Sequence, residues 1–351
     1  MPSLTTAPRH LRSPGIGASL NLIVAALCLI LVGITGSTLI GAFGAVRSAE
    51  RAGDLARAGR DVFTALQNVR IERGGTRLQL EAQDAAAATM LTGLKALRAK
   101  SGAALEALVA ACGRTDCADA AEMAELEARS GRLAALRPEI DRNLSQPLSA
   151  RRDGFAKEAN AVITALVDQL ELISGRLTAR LADVDAFTAV QVAVKDAAYL
   201  ARDAAGLEKY PVAAIIKDKA VSAENRAKIA ELRGKADAGW KLVREIAGRP
   251  GMPAPVVAAA EAAQALHFGT TVKLSDEIQQ AVAAGNAAPV GAAEFSKAVD
   301  AGTTSLVAVC EAALDAIVLH ADAKSSAASG NLTLQASLLL LVVAIGAGAL
   351  A

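Results

Sequence analysis

The chain is predicted to be all-α, with two transmembrane helices flanking an eight-helix extracytoplasmic domain built as two up-and-down four-helix bundles. Three observations predict this. Alanine dominates nearly every segment while aromatics make up only 3% of 351 residues, which favours helix and removes the side chains a sheet packs with. No charged residue lies between Arg12 and Arg47 or after Lys324. Apolar residues between those stretches recur at alternating spacings of three and four, as in helices packed at shallow angles.

The first apolar stretch, 16–45, reads IGASLNLIVAALCLILVGITGSTLIGAFGA and exceeds what a hydrocarbon core of about 30 Å requires. It is too long for the apolar region of a signal peptide, so an uncleaved anchor is the preferred reading. Arg9, His10 and Arg12 precede it and place segment 1–15 in the cytoplasm, although Arg47 and Arg51 follow on the far side. The segment 46–330 then lies outside the inner membrane, in the periplasm of a Gram-negative cell. The second stretch, 331–351, is just long enough to return, and the sequence stops there, which suggests a fragment or a two-anchor protein.

Breakers divide 46–330 into helices at roughly 46–82, 85–111, 117–144, 149–181, 184–207, 222–247, 255–284 and 292–330. Ser222 ahead of Asn225 and Pro253 at a first turn are start signals. Ile163, Leu166, Leu170, Ile173 and Leu177 form one seam; Val307, Cys310, Leu314, Ile317 and Ala321 form another. Of 37 basic residues only Arg9 and Arg12 lie outside the central segment, leaving 35 against 36 acidic ones. So balanced a domain has no electrostatic footprint for nucleic acid.

The first helix of this domain carries an anomaly. Its seam runs Leu55, Gly59, Val62, Leu66, Val69, Arg73, Thr76 and Leu80, which puts Arg73 at an inward position with Arg70 and Arg77 on the same side. An inward arginine stays charged and needs either a carboxylate, such as Asp203 or Glu208, or an anionic ligand. Guanidinium groups suit planar oxyanions through paired N–H donors, and Thr76 adds a hydroxyl. Arg202 follows Tyr199 by three residues; the pair either joins a shared pocket or lies on the solvated surface. Arg70-Ile-Glu-Arg73-Gly74 and Arg202-Asp-Ala-Ala-Gly206 share the pattern R-x-x-x-G, 132 residues apart by their first arginines.

NVRIERGGTRLQL at 68–80 resembles the opening signature of the helical nitrate- and nitrite-sensing domain of bacterial receptors, and YLARDAAGLEKYPVAAI at 199–215 resembles its second-half counterpart. AGWKLVREIAGRPGMP and FSKAVDAGTTSLVAVCEAAL are similar to periplasmic regions of methyl-accepting chemotaxis proteins of alphaproteobacteria. The resemblance covers about 46–330. It implies two four-helix bundles, a homodimer in the membrane, and a small anion (nitrate, nitrite or a carboxylate) held between Arg70 or Arg73 and Arg202. The second copy reads Ala204-Ala205 where the first has Glu72-Arg73. On this reading the chain is the input module of a chemoreceptor. A histidine kinase or cyclase input and a passive two-anchor scaffold are the alternatives.

Cys112 and Cys117 flank a tight turn and either pair in an oxidising compartment or stay apart; C-x₄-C without a second ligand pair is a poor metal motif. Cys28 falls in the first apolar stretch and Cys310 on a core seam. His267 and His320 stand far apart in sequence, so no metal or haem site is expected, and no cofactor. No nucleophile elbow, phosphate loop, dinucleotide fingerprint or zincin motif occurs, so an enzyme is not expected.

Overall fold

The computed structural model describes residues 16–115 and 117–350, and every regular element among them is helical. The segment 1–15, expected to be the cytoplasmic N-terminus, lies outside the described residues. In chain order the elements are α1 (Ile16–Leu80), α2 (Ala88–Cys112), α3 (Ala120–Leu144), a 3₁₀ turn (Leu148–Ala150), α4 (Phe155–Ala182), α5 (Ala186–Asp218) and α6 (Ala223–Ala247). They continue with α7 (Ala254–Ala263), a π-helical segment (Gln264–Thr271), α8 (Val272–Ala283) and α9 (Ala292–Leu350). The chain divides into two compact units, one from the residues up to Glu50 and from Asp322 onward, the other Arg51–Ala321.

In the first unit, α1 and α9 contribute helices long and apolar enough to cross a membrane, with mean hydropathy of 2.5 and 1.8 in their most apolar windows. Only 0% and 6% of those windows is buried, whereas the core helix of a soluble protein would be covered. Thr38 Oγ1 donates to Gln335 Oε1 at 3.1 Å, and a β-carbon on Gly346 would meet Cys28 Sγ at 3.3 Å. One residue pair is early–late and the other earlier–later, so the two helices run antiparallel in constant register. Arg47 lies over the Phe43 ring at 4.5 Å where the apolar stretch ends.

The second unit has three cores. Residues of α1, α2, α3 and α4 form the first, including Val62, Val69, Leu108, Leu133 and the predicted seam from Ile163 to Leu177. The second joins α5, α6, α7 and α9 with Ala56 and Phe63 of α1 and Leu181 of α4. A smaller third core gathers Val212, Ile229, Ile278, Val282, Phe295 and Val299. The seam of the last helix is buried at Cys310, Leu314, Ile317 and Ala321.

Most expected breaks are turns, and the caps explain them. Asp119 and Glu122 form a reciprocal capping box at the start of α3. Asp185 accepts from the Thr188 amide to start α5, and Ser222 accepts from the Asn225 amide to start α6. Cys112 and Cys117 are joined as a disulfide with Cα atoms 5.1 Å apart.

The first apolar stretch and the first domain helix form one continuous helix, with no Gly/Pro cluster across 46–50. One expected boundary is wrong. The break expected around Glu208 to Asp218 is absent: Pro211 sits inside α5, buried together with Val212 and Ile215, and packing outweighs its missing N–H. Seventh-helix residues 264–271 adopt π geometry, which sequence periodicity does not announce.

Arg151 closes the turns after α1 and α3. Its guanidinium donates to six backbone carbonyls, those of Asn143, Gln146, Gln79, Leu80, Ala82 and Asp84, at 2.7–3.0 Å. It thus serves the orphan carbonyls at the ends of both α1 and α3. Gly239 has the opposite role: a β-carbon there would lie 2.5 Å from Ala197 O and 3.1 Å from Ala201 N, so α5 and α6 touch backbone to backbone.

Arg151→Ala is expected to lower unfolding stability by about 3 kcal/mol, since several buried acceptors lose a charged donor. Gly239→Ala is expected to cost about 2 kcal/mol or more through overpacking. Urea unfolding of the detergent-solubilised chain, followed by far-UV circular dichroism, measures both.

Candidate anion-binding site

Two faces of α1 are buried within the second unit, and they carry different chemistry. Ala58, Val62, Val69 and Leu80 enter the first core, and fully buried Glu72 and Thr76 lie along the same side. Ala56 and Phe63 enter the second core, and Arg60, Gln67 and Arg70 continue their three–four spacing. This second line faces α5 and α9: Arg60 pairs with Asp315 at 3.0 Å, Phe63 meets the Tyr199 ring edge-on at 6.1 Å, and Arg70 pairs with Asp203 at 3.0 Å.

Three of the six sequence-predicted residues come together on that line. The Arg70 guanidinium lies 4.9 Å from the Tyr199 ring centroid. Its Nη1 is 3.0 Å from Asp203 Oδ1, and the same oxygen lies 3.8 Å from Arg202 Nη1. Arg70 also pairs with Glu171 of α4. The side chains of Arg70 and Arg202 are only 12% and 15% exposed. Burial, and secondarily the nearby Arg70, hold the Arg202 pKa below the usual arginine value.

The cluster's hydrogen bonding is incomplete. Arg70 Nε, Arg202 Nε, the Tyr199 hydroxyl and both amide atoms of Gln67 are buried without a hydrogen-bond partner. Gln67 is 5% exposed and sits on α1 between Phe63 and Arg70, which both touch Tyr199. Sequence reasoning missed it; its signal was a neutral amide in an apolar line, one turn before an arginine. Buried polar groups left unpaired are costly, and a concentration of donors beside two cations is what a small oxyanion satisfies.

The other three predicted residues are elsewhere. Arg73 is half-exposed rather than inward, and makes no hydrogen bond or ion pair among the described residues. The expected seam assumed one buried side; with two, Arg73 falls on the border between them and Glu72 takes the inward position. Thr76 is 1% exposed but lies on the Glu72 side, and its hydroxyl lacks a partner. Arg77 is exposed and pairs with Glu81 at 3.2 Å. Neither carboxylate suggested for Arg73 serves it: Asp203 pairs with Arg70, and Glu208 with Arg233 at 3.0 Å.

Glu72 belongs to an ionic clamp that occurs twice. Arg98 Nε binds Glu72 at 2.7 Å and Arg98 Nη1 binds Asp141 at 2.7 Å, with Arg137 adding a second pair to Glu72 at 2.8 Å. In the second half, Arg233 Nε binds Glu208 at 3.0 Å and Nη1 binds Asp276. Glutamate and arginine are separated by 26 and 25 residues, and arginine and aspartate by 43 in both. The clamps therefore pair Glu72 with Glu208, one helical turn off the register that aligns Arg70 with Arg202.

Beside the second clamp, His267 of the π segment is 3% exposed, and its Nδ1 has no partner. A β-carbon on Gly302 would approach that nitrogen to 2.9 Å and Thr271 Oγ1 to 2.7 Å, so α9 passes directly against the π turn. Burial, then the charge of Arg233, push the His267 pKa down to about 4.

Away from these clusters, an apolar groove of about 410 Å³ between α2 and α3 is lined by Leu105, Val109, Ala110 and Leu126, with Glu106 and Glu127 at its rim. It shares no residue with the arginine cluster. No group of three or more potential metal-ligating side chains occurs among the described residues.

No protein-family model and no curated protein matches the chain. Among solved structures, the NasR transcription antiterminator is similar, with a TM-score of 0.55 and 17% identity over 84% of this chain and 80% of that one. At that identity the likeness speaks to the helical fold alone.

His267 sets a pH dependence of known sign. Between its ordinary value of 6.5 and about 4, the unfolded chain binds a proton that the folded chain does not, so stability falls as pH falls through this window. Comparing urea midpoints at pH 7 and pH 4, His267→Gln is expected to lose about 3 kcal/mol less than the unsubstituted chain.

Proposed function

We propose that the chain is the input module of a bacterial transmembrane receptor, and that it takes up a small planar oxyanion, nitrate or nitrite, between Arg70 of α1 and Arg202 of α5. The carrying observation is the set of buried donors without partners, Arg70 Nε, Arg202 Nε, Tyr199 Oη and Gln67 Nε2, around two guanidinium groups. The resemblance of 68–80 and 199–215 to the nitrate- and nitrite-sensing domain points to Arg202 with Arg70 or Arg73, and of those two only Arg70 is near Arg202. The clamp that recurs at matched spacing supports a domain of two related four-helix bundles.

In this reading the two apolar helices cross the inner membrane, the intervening domain is periplasmic, and two copies assemble as a homodimer. The output is a chemoreceptor's, with a histidine kinase or cyclase as the other receptor classes that would use such an input. No catalysis is assigned. A carboxylate small enough to fit is the alternative ligand, because it offers the same two-oxygen edge to a guanidinium.

A route from site to output lies in α9. Lys209 of α5 is 3.7 Å from Asp300, a β-carbon on Gly206 would lie 3.8 Å from Thr303, and Cys310 donates to the Lys195 carbonyl. Helix α9 continues from these contacts to Leu350. A change at Arg202 is thus one helical contact away from the element that carries the second apolar stretch. Ligand can shift that equilibrium only by binding one arrangement better than the other.

Calorimetric titration of the full chain in detergent with sodium nitrate tests the reading. Arg70→Ala and Arg202→Ala are each expected to weaken binding about 10- to 100-fold, the worth of a charge-assisted hydrogen bond, with circular dichroism unchanged. Arg73→Ala and Arg77→Ala are expected to leave affinity within about twofold. Heat-silent mixing of nitrate, nitrite and small carboxylates alike would make the arginine cluster a structural ion-pair network.

A further inference from the structure

We infer that Asp203 is a tethered stand-in for the ligand: its carboxylate occupies the position between Arg70 and Arg202 that the bound anion takes, and so sets how much anion is needed to fill the site. This rests on the oxyanion reading of the same cluster. The geometry is specific. One oxygen, Asp203 Oδ1, is shared by the two guanidinium groups, 3.0 Å from Arg70 Nη1 and 3.8 Å from Arg202 Nη1. Those two arginines come from different helices and repel one another, so an anion between them is what holds them together.

Asp203 is also suited to leave. Its side chain is 47% exposed while the guanidinium groups are 12% and 15% exposed, so the carboxylate can return to water when the arginines cannot. Glu171, the other carboxylate on Arg70, is 44% exposed and approaches from α4. It keeps Arg70 neutralised on the α4 side whether or not Asp203 is in place. Displacing Asp203 exchanges one monoanion for another between the same two cations, so the charge between them is preserved while the displaced carboxylate is solvated by water. Asp203 lies between Arg202 and Gly206 on α5, on the stretch that runs to the contacts with α9.

An internal competitor raises the apparent dissociation constant by the inverse of the fraction of molecules in which it is absent. Removing its charge should therefore tighten binding, the opposite of what loss of a structural counter-ion would do. The test is nitrate titration of the full chain in detergent at constant ionic strength, comparing the unsubstituted chain with Asp203→Asn and Asp203→Ser. Both variants are expected to bind nitrate about fivefold more tightly, the scale of a half-exposed ion pair. If a variant is unfolded by circular dichroism without nitrate, millimolar nitrate is expected to restore it, because the anion replaces the missing carboxylate. Unchanged or weaker binding by the variants, with the unsubstituted chain binding normally, overturns the role of Asp203 and leaves the oxyanion site standing. An unfolded variant that nitrate does not rescue overturns it as well. Absence of nitrate binding by every form overturns both.

Discussion

Helix α1 has to satisfy two neighbours at once, and the ionic chemistry of the second unit follows from that requirement. One side of it closes the core shared with α2, α3 and α4, and the other lies on α5 and α9. A helix covered on both sides has little solvent-facing surface on which to place charge. The charged residues on its two buried sides are then drawn into partnerships, unlike Arg73 at their border, and the two sides resolve the problem differently. Glu72 is matched by two arginines and is fully satisfied. Arg70 faces a second arginine, so its side of the helix keeps spare donors. The first arrangement serves stability, and the second leaves the spare donors on which the proposed oxyanion site rests.

The helical class, the two apolar stretches, most turns and the seams of α4 and α9 were legible in the sequence, because each rests on a local signal: composition, a cap, or a three–four rhythm. Arg70, Tyr199 and Arg202 were among the candidates too, Arg70 as a neighbour of the suspected inward Arg73, and Tyr199 with Arg202 through the second-half resemblance rather than through periodicity. Arg73 was placed wrongly for a reason that periodicity cannot resolve. A 3.6-residue helix with two buried sides offers two overlapping apolar lines, and a single strict heptad drawn through both lands on their border. Gln67 and Glu72 were missed by the same construction. Pro211 misled because helix propensity is a weak prior once Val212 and Ile215 on either side of a turn are packed.

The recurrence of the Glu–Arg–Asp clamp changes how the internal similarity is understood. The R-x-x-x-G match aligned Arg70 with Arg202, but the clamps align Glu72 with Glu208 and Arg98 with Arg233. In the clamp register Arg70 and Arg202 are not equivalent positions; they are one turn out of step. Equivalent positions on parallel halves would sit at matched heights on separate helices. Being offset, and carried by helices that pack on one another, Arg70 and Arg202 meet at a shared aspartate. The halves also differ in what completes the clamp. Ser275 accepts from Arg233 Nη2 in the second, whereas the corresponding Arg98 Nη2 in the first is buried and unpartnered.

The glycine at 239 has a mechanical consequence. Where two helices meet backbone to backbone there is no layer of side chains to shear, so α5 and α6 form a stiff plank around Ala197 and Ala201. Arg202 is mounted on that plank, directly after the point of closest approach. Arg70, by contrast, stands on a helix whose neighbours are separated from it by side chains that can change rotamer. Backbone compliance between the two arginines is therefore expected on the α1 side, with α5 as the fixed anvil.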